Sequence, residues 1–323
     1  MKKISIGILG FGVVGRGTVE TLIARQEEVM LKADIEVDIK KICDKSIPSE
    51  IPFGLSAEVF TDNAEDLLED DEISVLVEMI GGVGFSKDFI EKALKKGKHV
   101  ITANKHLIAK FGNEFFSLAQ ENNVLLLIEA STAGAIPCIR ALRKSLVSLD
   151  IKAVKGVLNG TCNFILTRLQ NEGGDYADVL RQAQELGYAE ADPTFDVEGI
   201  DSAHKTAILG AFAFGGEIDF ENVKIKGISD LITDDFRFAD EIDCNIKLIG
   251  SAVKKDGKVY MSVLPTLVKK TSKLGQVHGV MNAVLFEDEF SGPIMMEGHG
   301  AGGRATGTAV AADIIEACKH AAK

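Results

Sequence analysis

The sequence predicts an α/β chain in two parts, a parallel-sheet domain over residues 1–133 and an α+β domain over 134–299. Three observations carry this expectation. Short apolar runs alternate with helical stretches of roughly 10–15 residues up to about residue 130, the pattern of right-handed strand–helix–strand crossovers. A glycine-rich turn, Gly10-Phe11-Gly12-Val13-Val14-Gly15, follows the first apolar run and opens a helix. Beyond residue 133 the alternation stops, and a Lys-Asp-Gly hairpin signal lies between two alternating segments near residue 256.

In chain order, 4–9 is a first strand, 15–31 a helix by periodicity, and 37–43 an alternating strand. The acidic stretch 62–71 is compatible with helix. "ISVLVEMI" at 73–80 reads as a buried strand, 85–97 as a helix closed by Gly97, and 98–102 as a strand. A helix in "EFFSLAQENN" and an apolar strand at 124–130 complete the parallel set. In the second part, 136–147 reads as helix and "IKAVKGV" as strand, with further helices at 163–172, 176–186 and 201–214. Strand-like runs follow residue 220. A glycine cluster (Gly298, Gly300, Gly302, Gly303) precedes a helical tail at 308–322.

Composition narrows the function classes. The chain has 323 residues, 48 acidic against 36 basic, and a net charge of −12. A surface of that sign disfavours nucleic acid and anionic membrane as partners. Five scattered cysteines without a CxxC pair read as reduced thiols of a cytoplasmic protein. The opening "MKKISIGILGFG" runs directly into the glycine turn and is not read as a signal peptide. No stretch reaches the roughly 18 apolar residues of a membrane span.

The glycine turn has the GxGxxG spacing in the context that gives it meaning, after a strand and opening a helix. The first glycine permits the tight turn, the second lets backbone approach a pyrophosphate, and the third lets helix and strand pack closely. Helix N-terminal amides then face the phosphates. This is the dinucleotide-binding fingerprint of a Rossmann-type domain. Asp44, in "KICDKS", is the candidate acid for the ribose 2′-OH. Adjacent Lys45 would instead welcome a 2′-phosphate, so the sequence leans to NAD and leaves NADP open.

Four further stretches follow the glycine loop in order: "VEMIGG" (77–82), "GKHVITANKHLIA" (97–109), "NGTCNFILT" (159–167) and "AQELGYAEADPTFDVEGIDSAHK" (183–205). "GHGAGGRATGTAVAADII" (298–315) closes the set. In these the chain closely resembles homoserine dehydrogenases over nearly its whole length, most specifically at 183–205. The resemblance implies NAD(P)-dependent interconversion of L-homoserine and L-aspartate 4-semialdehyde, a step of threonine, methionine and isoleucine biosynthesis. It also implies a homodimer, a second domain that is both catalytic and dimerising, and return of 300–323 to the nucleotide domain. Many members continue into a regulatory ACT domain, so the chain is expected to be a short form without one.

By motif match the resemblance makes Lys205 the proton-transfer lysine and Glu190 the substrate-binding glutamate. Lys105 becomes the active-site lysine near cofactor and substrate. Asp201 falls on an aspartate important to the site, Asp196 on a second acid near the substrate, and Gly303 on the cofactor-contacting glycine segment. Glu129 falls on the acid that starts a monovalent-cation loop, with Thr132, Gly134 and Ile136 as further ligands of a cation such as Na+. There are departures: Cys162 and Phe164 stand where Thr and Tyr are common, Phe195 where some relatives have an acid, and Arg304-Ala305 where a proline is common.

The chemistry fits these residue types. Alcohol oxidation needs a hydride acceptor, which a nicotinamide supplies, and a group to take the hydroxyl proton. The six histidines lack ligand spacing with the cysteines, which argues against a zinc alcohol dehydrogenase. A lysine can carry the proton when burial and a second ammonium bring its pKa toward working pH, and Lys105 converging on Lys205 would supply that charge. Asp201 lies four residues before Lys205, one helical turn away on the same face, and is expected to orient it. Glu190 suits the substrate ammonium, and the "NGT" turn at 159–161 offers amides to its carboxylate. Plainer expectations stand beside these: Asp192 sets a turn, Glu198 is solvated, His204 is structural, and Cys318 is inert, although an exposed thiol there could cross-link subunits. Two other classes compete, a semialdehyde dehydrogenase using Cys138 as nucleophile and a nucleotide-sensing scaffold.

Overall fold

The computed structural model describes residues 2–323. β1 (Lys2–Leu9) starts exposed and becomes wholly buried by Ile6, as expected of a central strand covered on both faces. After the glycine turn come α1 (Val13–Ala24), α2 (Gln26–Ala33) and β2 (Ile35–Cys43). The single helix expected at 15–31 is broken at Arg25, where φ is −114°. The part beyond the break has no buried residue, so packing does not hold it in line with α1. β3 (Phe60–Thr61) and α3 (Glu65–Leu68) follow. The acidic helix expected at 62–71 is reduced to one turn because Thr61 and Asn63 side chains bond the Asp66 carboxylate and nearby amides, competing with the helix ladder.

β4 (Ile73–Glu78), α4 (Gly84–Lys95), β5 (His99–Thr102) and α5 (Lys105–Glu121) lie close to expectation, α5 beginning nine residues earlier than "EFFSLAQENN". The strand expected at 124–130 shrinks to β6 (Leu126–Leu127), followed by a 3-10 turn at Glu129–Ser131. β6 is an edge strand, and the Glu129 N–H goes to the Asp313 carboxylate at 2.8 Å instead of to a neighbouring strand. The sheet order β3-β2-β1-β4-β5-β6, parallel throughout, is the doubly wound Rossmann order.

The second sheet is mixed. α6 (Cys138–Arg140) runs into a π-helical turn at Ala141–Ser145, where a continuous helix was expected to 147. β7 (Ile151–Val157), α7 (Gly160–Glu172), α8 (Tyr176–Glu185), α9 (Thr194–Val197) and α10 (Ile200–Phe214) follow. Then come β8 (Val223–Ile225), α11 (Thr233–Glu241), β9 (Cys244–Lys255), β10 (Lys258–Lys269), β11 (Met281–Asp288) and β12 (Gly292–His299). The Lys-Asp-Gly signal is the β9–β10 turn, with Asp256 and Gly257 at positive φ. The order is β12-β11-β7-β9-β10-β8, with β8 parallel to β10 and the other pairs antiparallel.

The last helix, α12 (Gly303–Ala321), begins five residues before the expected tail. The chain forms two compact units, one running through Ala135 together with Gly302–Lys323, the other Ile136–Ala301. In the first, Val310, Ile314 and Ala317 of α12 are fully buried in the same core as Ile6, Ile8, Val75 and Ile101. α12 crosses α1 backbone to backbone: a Cβ on Gly307 would lie 2.5 Å from the carbonyl carbon of Gly17 and 2.6 Å from the Thr18 nitrogen. Among the described residues no helix is long and apolar enough to cross a membrane.

Candidate active site

In the parallel-sheet unit the glycine turn does what its spacing predicts. Gly10 sits at φ 103° and its N–H donates to the Cys43 carbonyl at 2.8 Å. A Cβ on Gly15 would collide with the Gly10 carbonyl, whereas nothing lies within 4 Å of one on Gly12. Gly12 caps α1 without a side-chain bond, so the first helical amides stay available to an acceptor. Phe11 is buried against Phe60 with ring centroids 5.2 Å apart, Val13 is exposed and Val14 half-buried. A cavity of about 870 Å³ opens here, lined by Gly10, Gly12, Asp44, Lys45, Met79 and Ile80 among others. Turn, open second glycine and helix N-terminus together fit a dinucleotide pyrophosphate.

Asp44 is more than a turn residue. One carboxylate oxygen accepts the Phe11 N–H at 2.6 Å and the other the Ser46 N–H at 2.8 Å. It therefore ties the end of β2 to the glycine turn while lining the cavity. Further along the sheet edge, Lys105 is the first residue of α5 and half-buried. Asn104 caps that helix, its side chain accepting the Leu107 N–H at 3.1 Å. Glu129, Thr132 and Gly134 are buried in the same unit, and Ile136 is buried at the start of the other. Among the described residues no group of three or more His, Cys, Asp or Glu side chains is placed to hold a metal ion.

In the α+β unit, Lys205 of α10 is buried, and its Nζ donates to the Asp201 carboxylate and to the Leu158 carbonyl, both at 2.7 Å. The (i, i+4) spacing places Asp201 there, as expected. The same Asp201 oxygen accepts from Asn159 Nδ2 at 2.9 Å, and that amide also reaches Asp196 Oδ1 at 2.7 Å. Asn159 Oδ1 caps α7 through the Cys162 N–H at 2.8 Å. Asn159 thus joins the "NGT" turn to two acids of the 183–205 stretch. Glu190 is exposed, its backbone carbonyl held by Gln184 at 3.1 Å. Thr161 donates to the Tyr188 carbonyl at 2.5 Å and ties α7 to the Glu190 loop.

The remaining acids have local tasks. Asp192 accepts the Thr194 N–H and hydroxyl and sets a turn; Glu198 accepts the Ser229 hydroxyl at 2.6 Å rather than standing solvated. His204 packs against the Phe220 and Phe195 rings. Cys318 is fully buried, and burial pushes its thiol up to about 12, which fits the inert thiol expected of the tail rather than an exposed cross-linker. All five cysteines are buried, Cys138 included, which removes the accessible nucleophile of a semialdehyde dehydrogenase. Burial raises the Cys162 thiol well above its usual range, with the Asp196 and Asp201 charges adding to the effect. Arg304 forms a two-pronged ion pair with Glu20 of α1 at 2.5 and 3.0 Å.

Sequence reasoning missed Asn159 as a side chain, having read its turn only for amides. It also missed Glu78, a fully buried carboxylate at the end of β4. The available signal was an acid closing an otherwise apolar strand, where burial demands partners.

Comparison with known proteins agrees with this geometry. Residues 10–129 match the NAD-binding domain profile of homoserine dehydrogenases, and residues 137–315 match the homoserine dehydrogenase profile. The chain is 42% identical over 316 residues to the homoserine dehydrogenase of Neisseria gonorrhoeae, covering 98% of this chain and 72% of that protein. It is 41% identical over 320 residues to that of Bacillus subtilis, covering 99% and 74%. A crystal structure of a homoserine dehydrogenase from Thiobacillus denitrificans superposes with a TM-score of 0.95 at 42% identity, covering 100% of this chain and 75% of that one. A hyperthermophilic archaeal homoserine dehydrogenase in complex with NADPH gives 0.82 at 30% identity, covering 98% and 97%. A nicotinamide dinucleotide is therefore the cofactor class of the glycine-turn cavity. With both profiles matched in order and a buried lysine–aspartate pair on the motif that carries the likeness, the chain belongs to the homoserine dehydrogenase family of oxidoreductases.

Proposed function

We propose that the chain interconverts L-homoserine and L-aspartate 4-semialdehyde, with Lys205 moving the proton. The buried Lys205–Asp201–Asn159 arrangement carries this reading. The nicotinamide, when bound, accepts or supplies the hydride. Lys205 takes the hydroxyl proton as the carbon–oxygen double bond forms, or returns it to the aldehyde oxygen in the reductive direction. Asp201 orients the lysine. Glu190 grips the substrate ammonium by a charge-assisted bond, with Asp196 as a second acid, and Lys105 is the active-site lysine of the nucleotide unit. A monovalent cation is held by Glu129, Thr132, Gly134 and Ile136.

We also infer NAD rather than NADP as the preferred cofactor. The cavity beside the glycine turn is lined by Asp44, Asp62, Glu65 and Asp88 against Lys45 and Lys92, and Lys92 is paired with Glu65 at 3.0 Å. A 2′-phosphate there meets net like charge. Initial rates from NAD(P)H absorbance with L-homoserine, with and without Na+, test these points together. kcat/KM for NAD is expected to exceed that for NADP by about tenfold, about 1.4 kcal/mol, and Glu190→Ala to raise KM for homoserine more than it lowers kcat. No homoserine-dependent signal with either cofactor sinks the activity; equal use of both sinks the preference; indifference to Na+ sinks the cation.

The enzyme works as a homodimer through the open face of its second sheet. Tyr260 and Leu264 on β10 are exposed at 57% and 37%. They point away from α10, because Met261, of opposite parity on the strand, lies against Gly210 of that helix. Equilibrium sedimentation is expected to give a dimer that Leu264→Asp weakens; a monomeric wild type overturns this.

A further inference from the structure

We propose that Glu78 is a positioning residue that holds the turn after β4 and the first residue of α5, Lys105, in one geometry. The inference rests on Lys105 being an active-site lysine. Glu78 is fully buried, and the donors to its carboxylate are all uncharged. Oε1 accepts the Ile80 N–H, the Gly81 N–H and the Ser86 hydroxyl, each at 3.1 Å, and Oε2 accepts the Thr102 hydroxyl at 2.6 Å. A carboxylate is the side chain that accepts this many bonds while donating none. The bonds do not stop there. Thr102 Oγ accepts the Asn104 N–H at 3.0 Å, Asn104 Nδ2 donates to the Gly82 carbonyl at 2.6 Å, and Asn104 Oδ1 caps α5.

These bonds close a ring that runs from Glu78 through the 80–82 turn to Asn104, then through Thr102 back to Glu78. It spans the C-terminal ends of β4 and β5, whose register pairs Glu78 with Thr102. Open-sheet α/β proteins bind ligands at this edge, and Met79 and Ile80 of the turn line the cofactor cavity. Lys105 follows Asn104 directly, so the ring fixes the backbone from which its side chain projects. A misplacement of about 1 Å at such a support costs up to about 100-fold in rate.

The test uses the full chain with Glu78→Gln and Thr102→Val. Glutamine keeps the shape but presents donor hydrogens to donors; valine removes the hydroxyl that links Glu78 to Asn104. Each is expected to lower kcat by about tenfold or more, with a smaller, few-fold rise in the Kd for NADH, read by fluorescence, because Met79 and Ile80 of the turn line the cofactor cavity, and with some fall in Tm as buried hydrogen bonds are lost. In a Lys105→Ala background both substitutions cause little further loss, because the group they position is gone. Turnover within about twofold of wild type in both single variants, or losses that add in full to that of Lys105→Ala, overturns the proposal. Full turnover in Lys105→Ala alone overturns the role of Lys105, and the proposal with it.

Discussion

Replacing Lys205 by alanine is expected to lower kcat by about a thousandfold or more while the Kd for the nicotinamide cofactor changes only a few-fold. The two effects separate because Lys205 belongs to the α+β unit and the glycine turn to the other. Lys205 Nζ touches the Asp201 carboxylate and the Leu158 carbonyl. Alanine removes the proton carrier and takes the ammonium from beside a buried carboxylate, Asp201 being 3% exposed. Some loss of stability follows, so Lys205→Met, which keeps the stem, is the companion variant. Stopped-flow absorbance with homoserine and a thermal melt on each variant give the answer. A wild-type burst rate in a folded Lys205→Met enzyme would show that the proton travels by another group.

Gly307→Val is expected to destabilise the parallel-sheet unit by more than about 4 kcal/mol and to abolish cofactor binding. The α1–α12 crossing has no room for a side chain: the Cβ would lie 2.5 Å from the carbonyl carbon of Gly17. Both neighbours there are backbone, so nothing can rotate away, and the helices must separate. α1 carries the amides that face the pyrophosphate, so its displacement removes the cradle as well as the packing. Gly12→Ala is the contrast, since its Cβ meets nothing within 4 Å. That variant keeps its Tm but binds NADH weakly, because the methyl group enters the space of the ligand. A Gly307→Val protein melting within about 2 °C of wild type refutes the crossing as a stability determinant.

The parts of this fold that follow from local pattern were legible. The crossovers, the glycine turn and the Lys-Asp-Gly hairpin each follow from residues close in sequence. Some failures were local, as where Thr61 and Asn63 cut the 62–71 helix short and where α2 buries nothing; the others arose where a distant side chain displaced a local preference. Seven apolar or acidic residues at 124–130 read as a strand, yet Glu129 turns out of the ladder toward Asp313 of the last helix. The spacing of Asp201 and Lys205 was readable from helix geometry; the Asn159 amide joining Asp201 to Asp196 was not, because it bridges positions 37 and 42 residues apart. Glu78 was invisible as a hub for the same reason. Its Thr102 partner comes from the neighbouring strand, and only the register brings them side by side.

The return of α12 has a consequence for how the chain is made. The nucleotide-binding unit is interrupted by the whole of Ile136–Ala301, and its core includes Val310, Ile314 and Ala317 beside Ile6 and Ile8. During synthesis the first 135 residues emerge with one side of their sheet lacking its closing helix. The inserted unit is contiguous and is complete before that helix exists. Domains usually fold in the order they leave the ribosome; here the first begun is the last able to finish. Its apolar face waits through some 170 residues, a delay set by about 10–30 s of elongation, and that interval is where a nascent chain of this fold is most exposed to misassociation.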